Sequence, residues 1–258
     1  MVKLPQPSLT TIPGNRWLGK AADTVKTLII AVAIALLFRT FLYEPFNIPS
    51  SSMEPTLDVG DYIFVSKFAY GYGAASLPFG VPLSPGRIFF KPPHLGDVVV
   101  FKFPRDDTTD YIKRIIGLPG DRIQVKEGLL YINGVPVQRR RIGDYLFHTD
   151  GVTIPATEYL ETFPNGESHH ILEFDQEGPF ENTPVFVVPP GHYFVIGDNR
   201  DDSADSRVPN SGVGFVPAEN LVGRAEFTFF SIGGTSPGWE FWKWPFEIRN
   251  GRLFTSID

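Results

Sequence analysis

Eleven uncharged residues from Leu28 to Phe38 (LIIAVAIALLF) constrain this chain more than any other stretch. Widened to Thr24–Tyr43, with Lys26 near one end and Arg39-Thr40 near the other, the stretch is about 20 residues long, enough to cross a hydrocarbon core of roughly 30 Å as a helix. Lys26 and Arg39 are tolerable there because long cationic side chains snorkel toward opposite interfaces. A buried helix of a soluble domain and a cleaved signal peptide are the alternatives. The short uninterrupted core keeps the first in play. Against the second, Arg39 to Phe46 are bulky where cleavage demands small side chains. The expected reading is an uncleaved, single-pass anchor. Lys3, Arg16, Lys20 and Lys26 precede it, whereas Glu44, Glu54, Asp58 and Asp61 are the only charges between Arg39 and Ser66. The positive-inside rule then predicts a cytoplasmic N-terminus, with the remaining ~215 residues across the membrane.

That body reads as mainly β. Twenty-five Gly, 24 Pro and 23 Phe suit short aromatic-rich strands separated by many turns. Asp61–Lys67, Asp97–Phe103 and Asp110–Gly117 are expected strands, the last two antiparallel to each other. Ala69–Pro93 is expected as a long loop, and Asn133-Gly134 marks a hairpin because both residues tolerate positive φ. Residues 138–189 are more polar and less periodic, and are expected as an inserted cap; strands resume at His192 and close near Phe230. The expected organisation is a tail (1–23), an anchor (24–43), a catalytic β core (44–137 and 190–258) of antiparallel sheets, and the cap (138–189). The aromatics of Trp239–Phe246 suit either the headgroup layer or a packed edge strand.

Several chemistries are excluded. Without cysteine there is no thiol catalysis, disulfide framework or Cys-ligated zinc, and a net charge of −6 speaks against nucleic acid as the main partner. There is no Gly-x-Ser-x-Gly elbow, no zinc-binding His-Glu-x-x-His and no phosphate-binding glycine loop. The five histidines lack metal-ligand spacing; His169 and His170 are expected as solvated loop residues pointing to opposite sides. What remains is a hydroxyl cluster, Ser50-Ser51-Ser52, about ten residues beyond the anchor. A serine nucleophile without histidine needs another base, and lysine is the recognised substitute. Lys113, set among Tyr111, Ile112, Ile115 and Ile116, is the candidate. A lysine with pKa near 10.4 is only about 0.04% neutral at pH 7, so it serves as a base only if burial lowers that value by roughly 2–3 units.

Ser50 to Leu57, Gly96 to Phe101, Tyr111 to Asp121 and Gly197 to Arg207 occur in an order that resembles the boxes of bacterial type I signal peptidases. The resemblance spreads over most of residues 30 to 225. It implies Ser52 as nucleophile and Lys113 as general base. It also implies an oxyanion hole from the Ser50 hydroxyl and the Ser52 N–H, and Ser203 as the hydroxyl that orients the amine. Arg114, Asp198, Arg200, Asp205 and Arg207 match a supporting charge network. Phe46, Ile48, Pro49, Met53, Leu57, Tyr111 and Ile112 match the lining of shallow substrate pockets. The Asp110–Lys113 strand would bind extended substrate by strand addition. The implied substrates are exported pre-proteins with Ala-x-Ala-like sites, and the location is the bacterial inner membrane with a periplasmic body. The lipid bilayer is a partner and the secretion machinery a further candidate; no cofactor or metal is expected. Asp202 stands where that family usually has asparagine, and Val208–Gly212 extends the segment beyond the last box. A self-cleaving repressor with similar Ser–Lys chemistry, or a non-catalytic membrane scaffold, are the rival readings.

Overall fold

The computed structural model describes residues 16–77, 80, 86–149, 152–174, 178, 180–233 and 247–257, so the Trp239–Phe246 aromatics fall outside the described residues. The chain divides into two units, Met1–Arg39 and Thr40–Asp258. The first carries a helix, α1 (Arg16–Phe41), of which Asp23–Phe41 is long and apolar enough to cross a membrane. Leu28, Ile29, Ile34 and Leu37 are exposed on it, as lipid-facing side chains would be. The helix stops at Phe41, two residues before the expected limit at Tyr43. Pro45 opposes helix just beyond, and Tyr43 already pairs as strand.

The second unit is β. Its strands in chain order begin with β1 (Tyr43–Asn47), β2 (Asp61–Ser66), β3 (Val98–Lys102), β4 (Asp110–Gly117) and β5 (Arg122–Lys126). There follow β6 (Leu129–Ile132), β7 (Val135–Pro136), β8 (Gln138–Thr149), β9 (Val152–Thr162) and β10 (Ser168–Glu173). The last are β11 (Phe186–Val187), β12 (His192–Ile196), β13 (Val216–Pro217), β14 (Leu221–Ser231) and β15 (Thr255–Ser256). The main sheet runs β1-β2-β14-β3-β4-β12-β13, with β15 added on β14, and every pairing in it is antiparallel. A second sheet is β11-β5-β6-β7 and a third is β10-β9-β8.

The near-continuous apolar run of β3 has a simple cause: both faces of the strand are covered. Val98 and Val100 pack with Ile48, Met53, Leu57 and Ile63, while the alternate Val99 and Phe101 pack with Ile115 and Val195. The expected hairpin at Asn133-Gly134 joins β6 to β7, with φ of 54° and 81° at the two turn residues.

Residues 138–173 supply the whole third sheet, a regularity that the sequence hides. Along β9 only Ala156 and Glu161 are buried, and along β10 the buried set is His169, Ile171, Leu172 and Glu173. The sheet thus hides charged and polar side chains where a strand pattern calls for apolar ones. The loop expectation for both histidines is corrected: they lie on β10, His169 buried and His170 exposed, on opposite faces as strand alternation requires. Phe186–Val187, expected in the cap, pairs with β5 in the second sheet.

Candidate active site

The serine cluster lies between β1 and β2, in a turn sequence held by its own backbone: the Glu54 N–H donates to Ser51 O (3.0 Å) and Leu57 N–H to Met53 O (2.9 Å). Met53 and Leu57 anchor the turn in the core with no exposed surface. Ser52 is buried and its Oγ accepts from the Lys113 amine at 2.6 Å. The Ser50 hydroxyl lies 3.4 Å from that Oγ. Ser51 is turned elsewhere, donating to the Asp202 carboxylate.

Lys113 sits in β4 at 3% exposure. Burial, its largest influence, lowers its pKa from the usual 10.5 to about 8; Asp205, Asp198 and Asp202 oppose the shift and Arg207 adds to it. Such an amine is neutral in a useful fraction near neutral pH, and a hydroxyl in direct contact with it can hand over a proton. The amine's other hydrogen bond goes to Ile112 O (2.8 Å). The Ser203 hydroxyl, expected to orient the amine, is buried and makes no hydrogen bond.

The charge network includes two buried ion pairs whose carboxylates sit on one loop. Arg114 donates to Asp198 through Nε (2.9 Å) and Nη2 (2.8 Å), and Arg207 donates to Asp205 through the same two atoms (3.0 and 2.8 Å). Against burial, which raises it, Arg207 holds the Asp205 carboxyl below the usual range. Thr56, from the serine turn, donates to Asp198 Oδ2 at 2.6 Å. Arg200, the remaining expected member, pairs with Glu161 of β9.

Gly197 explains why the loop comes so close. A Cβ there would lie 2.3 Å from Ser203 Oγ and 2.4 Å from Ser52 O, so only glycine lets the loop pass. Asn199, given no role from the sequence, joins loop to turn: its N–H donates to Ser52 O (3.2 Å) and its Nδ2 to Ser51 O (3.3 Å). Its position inside the Gly197–Arg207 box was the only signal.

A cleft of about 390 Å³ opens beside Ser52 and Lys113. Phe46, Ile48, Pro49, Asp110, Tyr111 and Ile112, six of the residues matched to substrate contacts by the resemblance, line it, with Ser50 at its wall. Met53 and Leu57 do not line it; both are core residues beneath the turn, fully buried because they hold it down. Asn47, Val100, Asp202 and Ala204 line it as well. Along β4, residues 110–113 pair with β3, whereas β12 engages only Arg114, Ile115 and Gly117. Residues 110–113 therefore have no strand partner on the second side among the described residues. Groups of His, Asp and Glu able to hold a metal are absent among the described residues.

The family described as signal peptidase, peptidase S26, matches residues 21–230. Signal peptidase I of Rickettsia typhi is 42% identical over 264 residues, covering 94% of this chain and 98% of that one. Signal peptidase I of Rickettsia akari is 44% identical over 243 residues, covering 88% and 89%. A solved signal peptidase I from Enterococcus faecalis is 29% identical over 52% of this chain and 97% of that one, with a TM-score of 0.31, too low to bear on the fold. Identity of this order, sustained along nearly the whole chain, places it in the peptidase S26 family as a serine endopeptidase of the bacterial type I signal peptidase kind.

Proposed function

We propose that this chain removes N-terminal signal peptides from exported pre-proteins at the membrane surface, with Ser52 as nucleophile and Lys113 as general base. The observation that carries the mechanism is the 2.6 Å contact between a buried lysine amine and the Ser52 hydroxyl. Neutral Lys113 takes the Ser52 proton as Oγ attacks the scissile carbonyl. The oxyanion is held by the Ser52 N–H and the Ser50 hydroxyl, each such donor being worth about 2.7–4 kcal/mol in comparable sites. The charged amine then protonates the leaving amine, and water hydrolyses the acyl-enzyme by the reverse proton path. Asp198, Asp205, Arg114, Arg200 and Arg207 act by holding the loop, not on the substrate.

The substrate lies as an added strand along residues 110–113, and the apolar cleft between Ile48 and Ile112 admits small side chains of the Ala-x-Ala kind. The same walls exclude water from Lys113, so specificity and base strength share one cause. Residues 1–23 are assigned to the cytoplasm, the apolar part of α1 to the inner membrane, and the body to the periplasm, where the secretion machinery delivers its products. Residues 44–137 and 190–258 are assigned to the catalytic core and 138–189 to the insertion, except that Phe186–Val187 join the second sheet.

The test is cleavage of a pre-protein by detergent-solubilised wild type, Ser52→Ala and Lys113→Ala. Both variants should lose activity by more than a thousandfold, and Ser50→Ala by about 10²–10³. Cleavage by Ser52→Ala at the wild-type rate would sink the mechanism.

A further inference from the structure

The loop Gly197–Arg207 is held from the third sheet as well as from the core. Strand β10 runs beside it: Leu172 N–H donates to Asp198 O (2.9 Å) and Arg200 N–H to Leu172 O (2.9 Å), a parallel bridge centred on Asn199. Phe174 N–H donates to Asp201 Oδ2 at 2.6 Å. From β9, Glu161 meets the Arg200 guanidinium with both oxygens, one contact being Nη1–Oε1 at 3.0 Å. Glu161 has no exposed surface and Arg200 is 5% exposed.

Arg200 passes the hold onward. Its carbonyl accepts from Arg207 Nη2 (2.6 Å), Arg207 grips Asp205, and Asp205 accepts from Gly197 N–H (3.2 Å). On its other side is Asn199, whose N–H carries the Ser52 carbonyl. His169 completes the junction. Its ring stacks on Phe163 with centroids 4.6 Å apart, lies 3.6 Å from Glu161 and 4.0 Å from Asp198, and has no hydrogen bond at either nitrogen. Burial, aided by Arg114 and Arg200, holds it neutral, so it competes with neither arginine for a carboxylate.

We propose that Glu161 is a positioning residue for the hydrolysis: fixed in the inserted sheet, it holds Arg200, and through Arg200 the Asn199 backbone that carries Ser52. This rests on the Ser52–Lys113 mechanism and gives the insertion a part in it. A buried guanidinium without its carboxylate is driven toward water, and the loop must follow it. Glu161→Gln keeps the shape but turns an N–H₂ group toward one of the guanidinium donors, so one of the two contacts and the balancing charge are lost with little change in volume.

The groups facing the Lys113 amine are Asp205, Asp198, Asp202 and Arg207, with the Ser52 hydroxyl and the Ile112 carbonyl. Loosening the loop admits water and also withdraws the three carboxylates; these effects oppose each other. Desolvation is the largest influence on the amine, so its relief prevails and the Lys113 pKa rises.

The experiment measures kcat, KM and the pH dependence of kcat/KM for full-length Glu161→Gln in detergent, with folding followed by near-UV circular dichroism and thermal unfolding. Expected are a kcat lower by tenfold or more, a KM within about twofold, and an acid limb displaced upward by at least half a pH unit. Glu161→Met/Arg200→Met, which leaves no unpaired buried charge, is expected to fold and show the same kinetic signature. It decides the question where Glu161→Gln does not fold. Wild-type kcat and acid limb in a folded variant, with or without a lower melting temperature, would overturn the proposal and leave the pair purely stabilising. The two readings fail separately: activity in Ser52→Ala removes the nucleophile, whereas wild-type kinetics in the Glu161 variants remove the positioning role alone.

Discussion

Lys113 is the residue at which stability and activity pull apart. Burial holds its pKa near 8, below the 10.5 of an exposed lysine, so between those values the unfolded chain binds more protons than the folded one. Stability must therefore rise with pH from about 8 toward 10.5, and below pH 8 the cost is present in full. At about 1.4 kcal/mol per pH unit that cost is roughly 3 kcal/mol. Lys113→Met keeps the volume and removes the charge. It should be inactive, more stable than wild type at pH 7 by up to about 3 kcal/mol, and should lack the wild-type rise above pH 8. Denaturant unfolding of both proteins at pH 7 and pH 10 measures the difference; equal stability at pH 7 would show that the amine is not desolvated. The hydroxyl cluster and Lys113 stood out in the sequence because isolated hydroxyls beyond an anchor and a lysine inside an apolar strand are both anomalous, whereas Ser52 was singled out within the cluster only by the family resemblance. Asn199 and Ser203 were harder to place: their parts depend on which backbone group ends up within 3 Å, and no residue pattern encodes that. Ser203 ends buried and unpaired, and the Ile112 carbonyl accepts from the amine.

At the scale of the element, β4 has two different halves. Arg114 is paired by β3 on one side and β12 on the other, and Ile115 and Gly117 by β12, while Asp110 to Lys113 have a strand on the β3 side alone among the described residues. An extended peptide placed on the second side would run past Ser52 and exchange backbone hydrogen bonds with β4. Replacing single amides of a peptide substrate by N-methyl amides tests this. Each net hydrogen bond is worth about 0.5–1.5 kcal/mol, and the methyl group adds a steric penalty. Methylation at alternate positions near the cut should lower kcat/KM by about tenfold or more, with little effect at the intervening ones. A flat response along the peptide would exclude strand addition. The β core could be read ahead because its strands bury apolar residues at period 2, or on both faces as in β3. The third sheet could not. Strand β8 buries Phe147 and carries Arg139-Arg140-Arg141, and β9 and β10 turn Glu161, His169 and Glu173 inward, so hydrophobic periodicity was silent where the hydrogen-bonded pairing is longest.

For the whole molecule, the short link between α1 and the proposed nucleophile is the controlling quantity. Ser52 lies 11 residues beyond Phe41, a contour of no more than roughly 40 Å even if fully extended. On the proposed topology, a catalytic body tethered to a bilayer that way would meet membrane-embedded substrate at an effective concentration in the millimolar range, however dilute the enzyme. Chemistry at the bond itself needs none of this, since Ser50, Ser52, Lys113 and the loop that holds them all belong to the unit Thr40–Asp258. Removing residues 1–39 should thus leave kcat/KM on a soluble peptide in detergent within about threefold of the full chain. The same truncation should slow cleavage of a pre-protein embedded in liposomes by tenfold or more at nanomolar enzyme. Equal losses on both substrates would mean that the helix supports the fold of the site. Equal retention on both would mean that the body finds the bilayer unaided, and that α1 adds nothing to the encounter.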